Sequence, residues 1–242
     1  MKKRELQIQD LNIEHTGDHS RTIFHKELGA HYRSIHGADT ESNHVFIQGT
    51  RILEQEEWKV LELGFGLGTN FQNLLKKAGE KQRIHYISIE HQPIPPDFIA
   101  GADLGASLTF DILKQAREKG RTAKICHNDI ILELIVEDVF QAELPQSWAN
   151  ACFHDPFGPK VNPEAWTAEC FSILRQAMTE DGILSTYGAA GHAKRAMVEA
   201  GFWIASGEGY GKKREITYAS KNPDRLNHGV LNRKKSYQPI SS

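Results

Sequence analysis

The chain has 242 residues, 39% hydrophobic and 25% charged, with a formal net charge of −2. That is enough for one large domain with a buried core, and the balance excludes disordered and fibrous classes. No apolar run approaches the ~20 residues that cross a bilayer, no apolar stretch follows the basic start, and Cys126, Cys152 and Cys170 are too scattered for a disulfide framework, so the expectation is a cytoplasmic protein.

Along the chain, residues 1–58 are polar, with short strands expected at Arg21–Phe24 and His44–Gln48. From Lys59 the pattern becomes alternating strands and helices. KVLEL (59–63) runs into a Gly-rich turn, and Phe71, Leu74, Leu75 and Ala78 then give a helical apolar stripe that stops at Gly79. IHYISIE (84–90) predicts a strand, 104–119 a helix, AKICH (123–127) a strand and DIILELIV the start of another helix. NACFHD (150–155) predicts a strand; Asn162 and Pro163 then suit the start of a helix striped by Trp166, Cys170, Ile173, Leu174 and Ala177. GILSTY (182–187) predicts the fifth strand, and Ala193, Ala196, Met197 and Ala200 the face of the fifth helix. FWIAS and REITYAS follow with no helix between them, as in an antiparallel hairpin. The expectation is an α/β fold, a seven-stranded mostly parallel sheet with helices on both faces and a terminal hairpin, as in class I S-adenosylmethionine-dependent methyltransferases. Ligands of such sheets bind at the carboxyl ends of the strands. The expected organisation is an N-terminal extension packing on the catalytic domain (1–58), the catalytic domain (59–220) and a basic tail (221–242).

Glu62-Leu63-Gly64-Phe65-Gly66-Leu67-Gly68-Thr69-Asn70 follows a strand and opens a helix. Glycines let the backbone turn tightly and approach a ligand, and free amides at a helix start favour negative groups. The G-x-G-x-G spacing differs from the dinucleotide pattern. An acid two places before the first glycine repels a pyrophosphate but suits the ammonium of S-adenosylmethionine. The same residues also fit a structural turn. Glu90, 22 residues after Gly68, stands where an acid commonly meets ribose hydroxyls. Asp129, after the expected third strand, is a candidate acceptor for an adenine amino group, or an ordinary surface carboxylate.

Phe153-His154-Asp155-Pro156-Phe157-Gly158-Pro159 closes the fourth expected strand. Methyl transfer to an amine needs a neutral nitrogen with its lone pair aimed at the methyl. Asp155 and the Pro156 carbonyl can accept the amine hydrogens, and Phe157 can pack on a base. The alternative is a loop-opening turn. His154 points the other way from Asp155 along a strand and suits packing.

The stretches ELGFGLGTNF, ISIEHQP, FHDPFGPKVNPEAWT, STYGAAGHAKRAMVEAGF and GYGKKREIT occur in that order. They resemble the methyltransferase domain of the MnmC family of tRNA 5-methylaminomethyl-2-thiouridine biosynthesis proteins, and HYRSIHGADTESNHVFIQG resembles that family's amino-terminal region. The resemblance spans roughly residues 20–219. It implies N-methylation of a 5-aminomethyl group on the wobble uridine of tRNA. It places Glu62, Gly64, Phe65, Gly66, Gly68, Asn70, Glu90 and Asp129 around S-adenosylmethionine, and Asp155 beside the amine. Pro156, Phe157, Lys160, Lys212, Lys213 and Arg214 would meet the substrate. It also implies the stand-alone form, lacking a flavin oxidase domain, so that an upstream enzyme supplies the aminomethyl base. Pro156 stands where the family has Gly, and Lys160 lies one place ahead of the family's cation.

Residues 192–242 hold ten Lys or Arg against four Asp or Glu, a footprint suited to a phosphate backbone or simply to a solvated tail. A nicotinamide-dependent oxidoreductase is the enzymatic alternative, opposed by Glu62 and the glycine spacing. A non-catalytic RNA-binding module on the same fold is the other. Six of twelve histidines lie in the first 44 residues without ligand spacing, so no metal is expected, and none of the features suggests a membrane partner. The segment holding Tyr32 and His36 is expected to fold over the cofactor cleft.

Overall fold

The computed structural model describes residues 6–99, 101, 103–210 and 215–231. Five strands lie parallel at its centre: β4 (Glu57–Leu63), β5 (Arg83–Ile89), β7 (Ile130–Ile135), β8 (Ala149–His154) and β9 (Met178–Thr186). Antiparallel β11 (Glu215–Ser220) joins β9, and β10 (Trp203–Glu208) pairs with β11, completing the expected hairpin. Two further edge strands, β6 (Ala123–His127) and β12 (Val230–Leu231), extend the sheet to nine in the order β12-β10-β11-β9-β8-β4-β5-β7-β6. The α/β class and terminal hairpin are as expected; the strand count is higher by β7 and β12, and the expected strand at 123–127 is β6, an antiparallel edge.

Residues 130–135 correct one expected element. They form a strand instead of a helix, with strictly alternating burial. The positive φ of Asn128 (49°) turns β6 back into β7 as a tight hairpin. A short run of Ile and Leu fits either period, and a place between β5 and β6 decides for the strand. The expected strand at His44–Gln48 is helical: α1 (Ala38–Glu41) continues into π-helical turns over Ser42–Gln48. Val45, Phe46 and Ile47 are all buried there, which a half-exposed strand would not allow. Arg21–Phe24 is extended as expected, in β2 (Arg21–His25) of a separate three-stranded sheet with β1 (Leu11–His15) and β3 (Ala30–His31). Asn162 caps nothing with its side chain. Pro163–Trp166 is a 3-10 turn, and α4 (Ala168–Ala177) is capped by Thr167, whose hydroxyl accepts from the Cys170 amide.

The sheet buries both faces, because successive side chains point to opposite sides. Val60, Tyr86, Leu132 and Phe153 pack with Phe46 and with α2 (Thr69–Leu75) and α3 (Leu104–Lys119). Leu61, Leu63, Ile87 and Cys152 pack with α4 and α5 (Gly191–Glu199). A fully buried Phe or Leu in such a core contributes about 1.5–3 kcal/mol relative to exposure. Parallel register brings Leu63 beside Ile89 and His154, so the strands finish together and their following loops share one rim.

Candidate active site

Where β4 and β8 end, their chains nearly touch. Gly64 has φ +95°, and a Cβ there would lie 2.7 Å from the Asp155 backbone oxygen. The Asp155 amide donates to the Leu63 carbonyl at 3.0 Å, so the loop after β8 is tied to the root of the Gly-rich turn. At Gly66 (φ +50°) a Cβ would meet the Tyr32 ring at 3.1 Å. Tyr32 therefore lies over the loop, and its ring meets Phe157 edge-on with centroids 4.9 Å apart.

Two clefts open on either side of this contact. One is lined by residues 63–67, Ile89, Glu90, His91 and Asn162; the other by Ala30, His31, Ser34, Ile35, Glu41, Gly158 and Tyr187. Tyr32, Arg33, Asp155, Pro156 and Phe157 line both. The Asp155 carboxylate thus stands at the junction.

Below it runs a buried polar chain. The Asn70 amide donates to Asp155 Oδ2 at 2.9 Å and to Glu62 Oε1 at 2.8 Å, while its Oδ1 accepts from the Ser42 hydroxyl at 2.6 Å. Ser88 donates to Glu62 Oε2 at 2.8 Å. Arg33 Nη1 forms an ion pair with Asp155 Oδ2. Burial pushes the Glu62 carboxyl up to about 7, against the pull of the Asn70 and Ser88 hydrogen bonds and of Arg33. At the end of β5, Glu90 accepts from the Gly66 amide at 3.1 Å and the Gln92 amide at 2.9 Å. Burial raises its carboxyl while those amides oppose the shift.

The structure therefore assembles Gly64, Phe65, Gly66, Glu90, Asp155, Pro156 and Phe157 around the first cleft. Other residues need correction. Glu62 does not line that cleft; it is completely buried beneath Asn70, so it supports the site and presents no carboxylate to a ligand's ammonium. Asn70 is likewise an internal hub, and Gly68 caps α2. Asp129 stands at the wrong end of the sheet. Its carbonyl accepts from the amide of Ile84, where β5 begins, about 20 Å along the strand from Glu90 at ~3.3 Å per residue. Once residues 130–135 are the third parallel strand, the acids at its carboxyl end are Glu137 and Asp138, which line a cavity with Glu90, His91 and Phe157. Lys160 is exposed and lines neither cleft. The Pro156 carbonyl already accepts from the Tyr187 hydroxyl at 2.5 Å. Lys212, Lys213 and Arg214 lie outside the described residues.

His154 behaves as its alternation predicts. It is fully buried on the opposite face, its ring bonded to Thr186 Oγ1 at 3.2 Å and the Ala165 carbonyl at 2.8 Å, and burial pulls its pKa down to about 4. Sequence reasoning missed Arg33, Glu41 and Tyr187. Arg33 and its partner are 122 positions apart, and no spacing rule links a cation in a polar segment to an acid so distant.

Residues 103–222 match a family described as S-adenosyl-L-methionine-dependent methyltransferase. The "tRNA 5-methylaminomethyl-2-thiouridine biosynthesis bifunctional protein MnmC" of Burkholderia vietnamiensis is 30% identical over 201 residues, 75% of this chain and 31% of that protein. Its counterpart in Pseudomonas fluorescens is 31% identical over 207 residues, 77% of this chain and 31% of that protein. The chain is similar to MnmC proteins over about three quarters of its length. It spans about a third of the length of these curated relatives. The crystal structure of MnmC2 from Aquifex aeolicus aligns with a TM-score of 0.73 and 25% identity, covering 95% of this chain and 81% of that one.

Among the described residues no helix is long and apolar enough to cross a membrane.

Proposed function

We propose that this chain methylates the primary amine of a 5-aminomethyl group on the wobble uridine of tRNA, using S-adenosylmethionine. The observation that carries this reading is Asp155, at the junction of two clefts, with Oδ2 bonded to Arg33 and Asn70 and Oδ1 accepting no hydrogen bond among the described residues. The relatives' name supplies the substrate class.

The donor is assigned to the first cleft together with the adjoining cavity that shares Glu90 and His91 with it. The cleft floor at Gly64 and Gly66 lacks the Cβ atoms that would crowd Asp155 and Tyr32, and the Glu90 carboxylate lies beside it, suited to ribose hydroxyls. Glu137 and Asp138 replace Asp129 as candidates for the adenine end. When bound, S-adenosylmethionine supplies an electrophilic methyl group on a sulfonium. The protein's part is to place the nitrogen. Asp155 Oδ1 accepts one amine N–H and so directs the lone pair. Tyr32, Phe157 and Tyr187 offer aromatic surface to the base. The Tyr187 hydroxyl donates to the Pro156 carbonyl and so helps to fix the loop beside Asp155. Lys160, exposed outside both clefts, is proposed to meet the RNA backbone, and Lys212, Lys213 and Arg214 are proposed to bind substrate as well. Such an enzyme works in the cytoplasm, where an upstream reaction must install the aminomethyl group.

Purified protein, labelled S-adenosylmethionine and tRNA bearing 5-aminomethyluridine test the proposal. Mass spectrometry of the digested tRNA is expected to show the methylaminomethyl nucleoside. Unchanged tRNA alongside clear binding of S-adenosylhomocysteine would refute the acceptor; stabilisation against heat by NADH instead would favour the oxidoreductase reading.

A further inference from the structure

A primary alkylamine is an ammonium ion near neutral pH, its pKa being roughly 10 by comparison with lysine. A nitrogen in that form has no lone pair to give. A lone buried carboxylate would make matters worse, since an opposite charge stabilises the ammonium. Asp155 is not a lone carboxylate. Arg33 pairs with it, the two side chains being 6% and 10% exposed.

Arg33 is held firmly for this. Its backbone amide and carbonyl both bond Thr22 Oγ1 at 2.9 Å. Its Nη2 donates to the Ala38 carbonyl at 3.3 Å, and the guanidinium lies 5.6 Å from the centre of the Phe46 ring. Its Nε is buried without a partner, so the group is not placed to satisfy its own donors as fully as possible. Two histidines also line the clefts, His91 the first and His31 the second, the latter bonded to Glu14 Oε2 at 2.9 Å; the remaining titratable groups around the pair are acidic or phenolic. They are Glu62 behind Asn70, Glu41 on α1, Tyr86 on β5, Tyr187 after β9, and Tyr32 with Glu90 across the first cleft. His154 faces the other side of the sheet, bonded to Thr186 and Ala165. Arg33 is the permanently charged cation beside Asp155.

We propose that Arg33 is a positioning residue whose guanidinium neutralises Asp155, so that the carboxylate receives the acceptor nitrogen as an uncharged amine. This rests on the methyl-acceptor reading above. Desolvation in the cleft then favours the neutral amine, because the net charge of the pair no longer holds the ammonium. Oδ1 stays available for one N–H, so orientation is kept while charge attraction is cancelled. The proton is shed to water as the amine enters.

The test is titration calorimetry near neutral pH, in buffers of different protonation enthalpy. An anticodon stem-loop carrying 5-aminomethyluridine is titrated into enzyme saturated with S-adenosylhomocysteine. The wild-type protein is expected to release about one proton per complex, since nearly all of an amine of pKa roughly 10 starts protonated. Arg33→Gln is expected to bind without that release. Its methyl transfer should fall about 10²-fold at neutral pH, within the usual range for a positioned proton-handling group, and recover as pH rises. Arg33→Lys should restore most of both. Wild-type binding without proton release overturns the proposal, and so does an Arg33→Gln loss that is the same at every pH, which would mark a merely structural role. If Arg33→Gln does not fold, the wild-type proton count and the Arg33→Lys profile decide alone. Equal binding of aminomethyl and plain uridine stem-loops refutes the acceptor reading itself; preference without proton release refutes only the role of Arg33.

Discussion

The two faces of the central sheet handle buried polarity in opposite ways. On the face of α1, α2 and α3, Glu62, Asn70, Asp155 and Arg33 form a chain that ends in two open clefts. On the face of α4 and α5, one residue along the same strand, His154 is sealed among Trp166 and Phe171 with both ring nitrogens occupied. The period of two along β8 delivers Asp155 to one environment and His154 to the other. Adjacent polar residues therefore divide into one that faces the open clefts and one that braces the fold.

Three variants break or sharpen that contrast. Asp155→Asn should have the largest effect, a loss of about 10²–10⁴ in methyl transfer. Affinity for S-adenosylhomocysteine, measured by calorimetry, should change less than about tenfold, since the amide retains the shape and an acceptor for Arg33. Comparable losses of turnover and cofactor affinity would merge the two roles. His154→Phe should leave the Ala165 carbonyl without its partner and cost about 1–3 kcal/mol in denaturant unfolding, with kcat nearly unchanged. A large fall in kcat at full folding would show that the second face also serves the reaction.

Glu62→Gln is the subtlest and uses pH. Glu62 titrates about 7 in the fold against an ordinary 4.5, so between those values the native state keeps a proton that the unfolded chain has lost. Its contribution to stability is present below 4.5 and is lost as pH rises to about 7, at up to about 1.4 kcal/mol per pH unit. His154 runs the other way. Its pKa falls from 6.5 to about 4, so the unfolded chain holds the extra proton and stability grows with pH across that interval. From about 4.5 to 6.5 the two slopes oppose each other in the wild-type protein. Glu62→Gln should expose the rising slope and His154→Phe the falling one. Denaturant midpoints across this interval check both; parallel curves for all three proteins would show that neither group titrates as its surroundings dictate.

Legibility varied with the range of the interaction. The strand at 59–63, the helix at 104–119 and the hairpin after Gly201 were readable because their periodicity is local and strong. Residues 130–135 were not, since six apolar-rich positions suit either period and only β5 and β6 on their flanks make them a strand. That error carried Asp129 to the wrong end of the sheet and hid Glu137 and Asp138. The Gly-rich turn was readable from composition, but the fate of Glu62 was not: a side chain two places before a glycine can point into the cleft or beneath it, and its packing against Asn70 and Ser88 decides.

By itself, the order of residues determined the sheet's parallel centre, the glycines where backbone must pass close, and the opposed directions of His154 and Asp155, because each follows from dihedral freedom or from the period of a strand. Tertiary structure alone decided that Asp155 meets Arg33. That pairing joins a polar segment to the end of β8 across half of the chain, and each buried charge is tolerable there because the other compensates it.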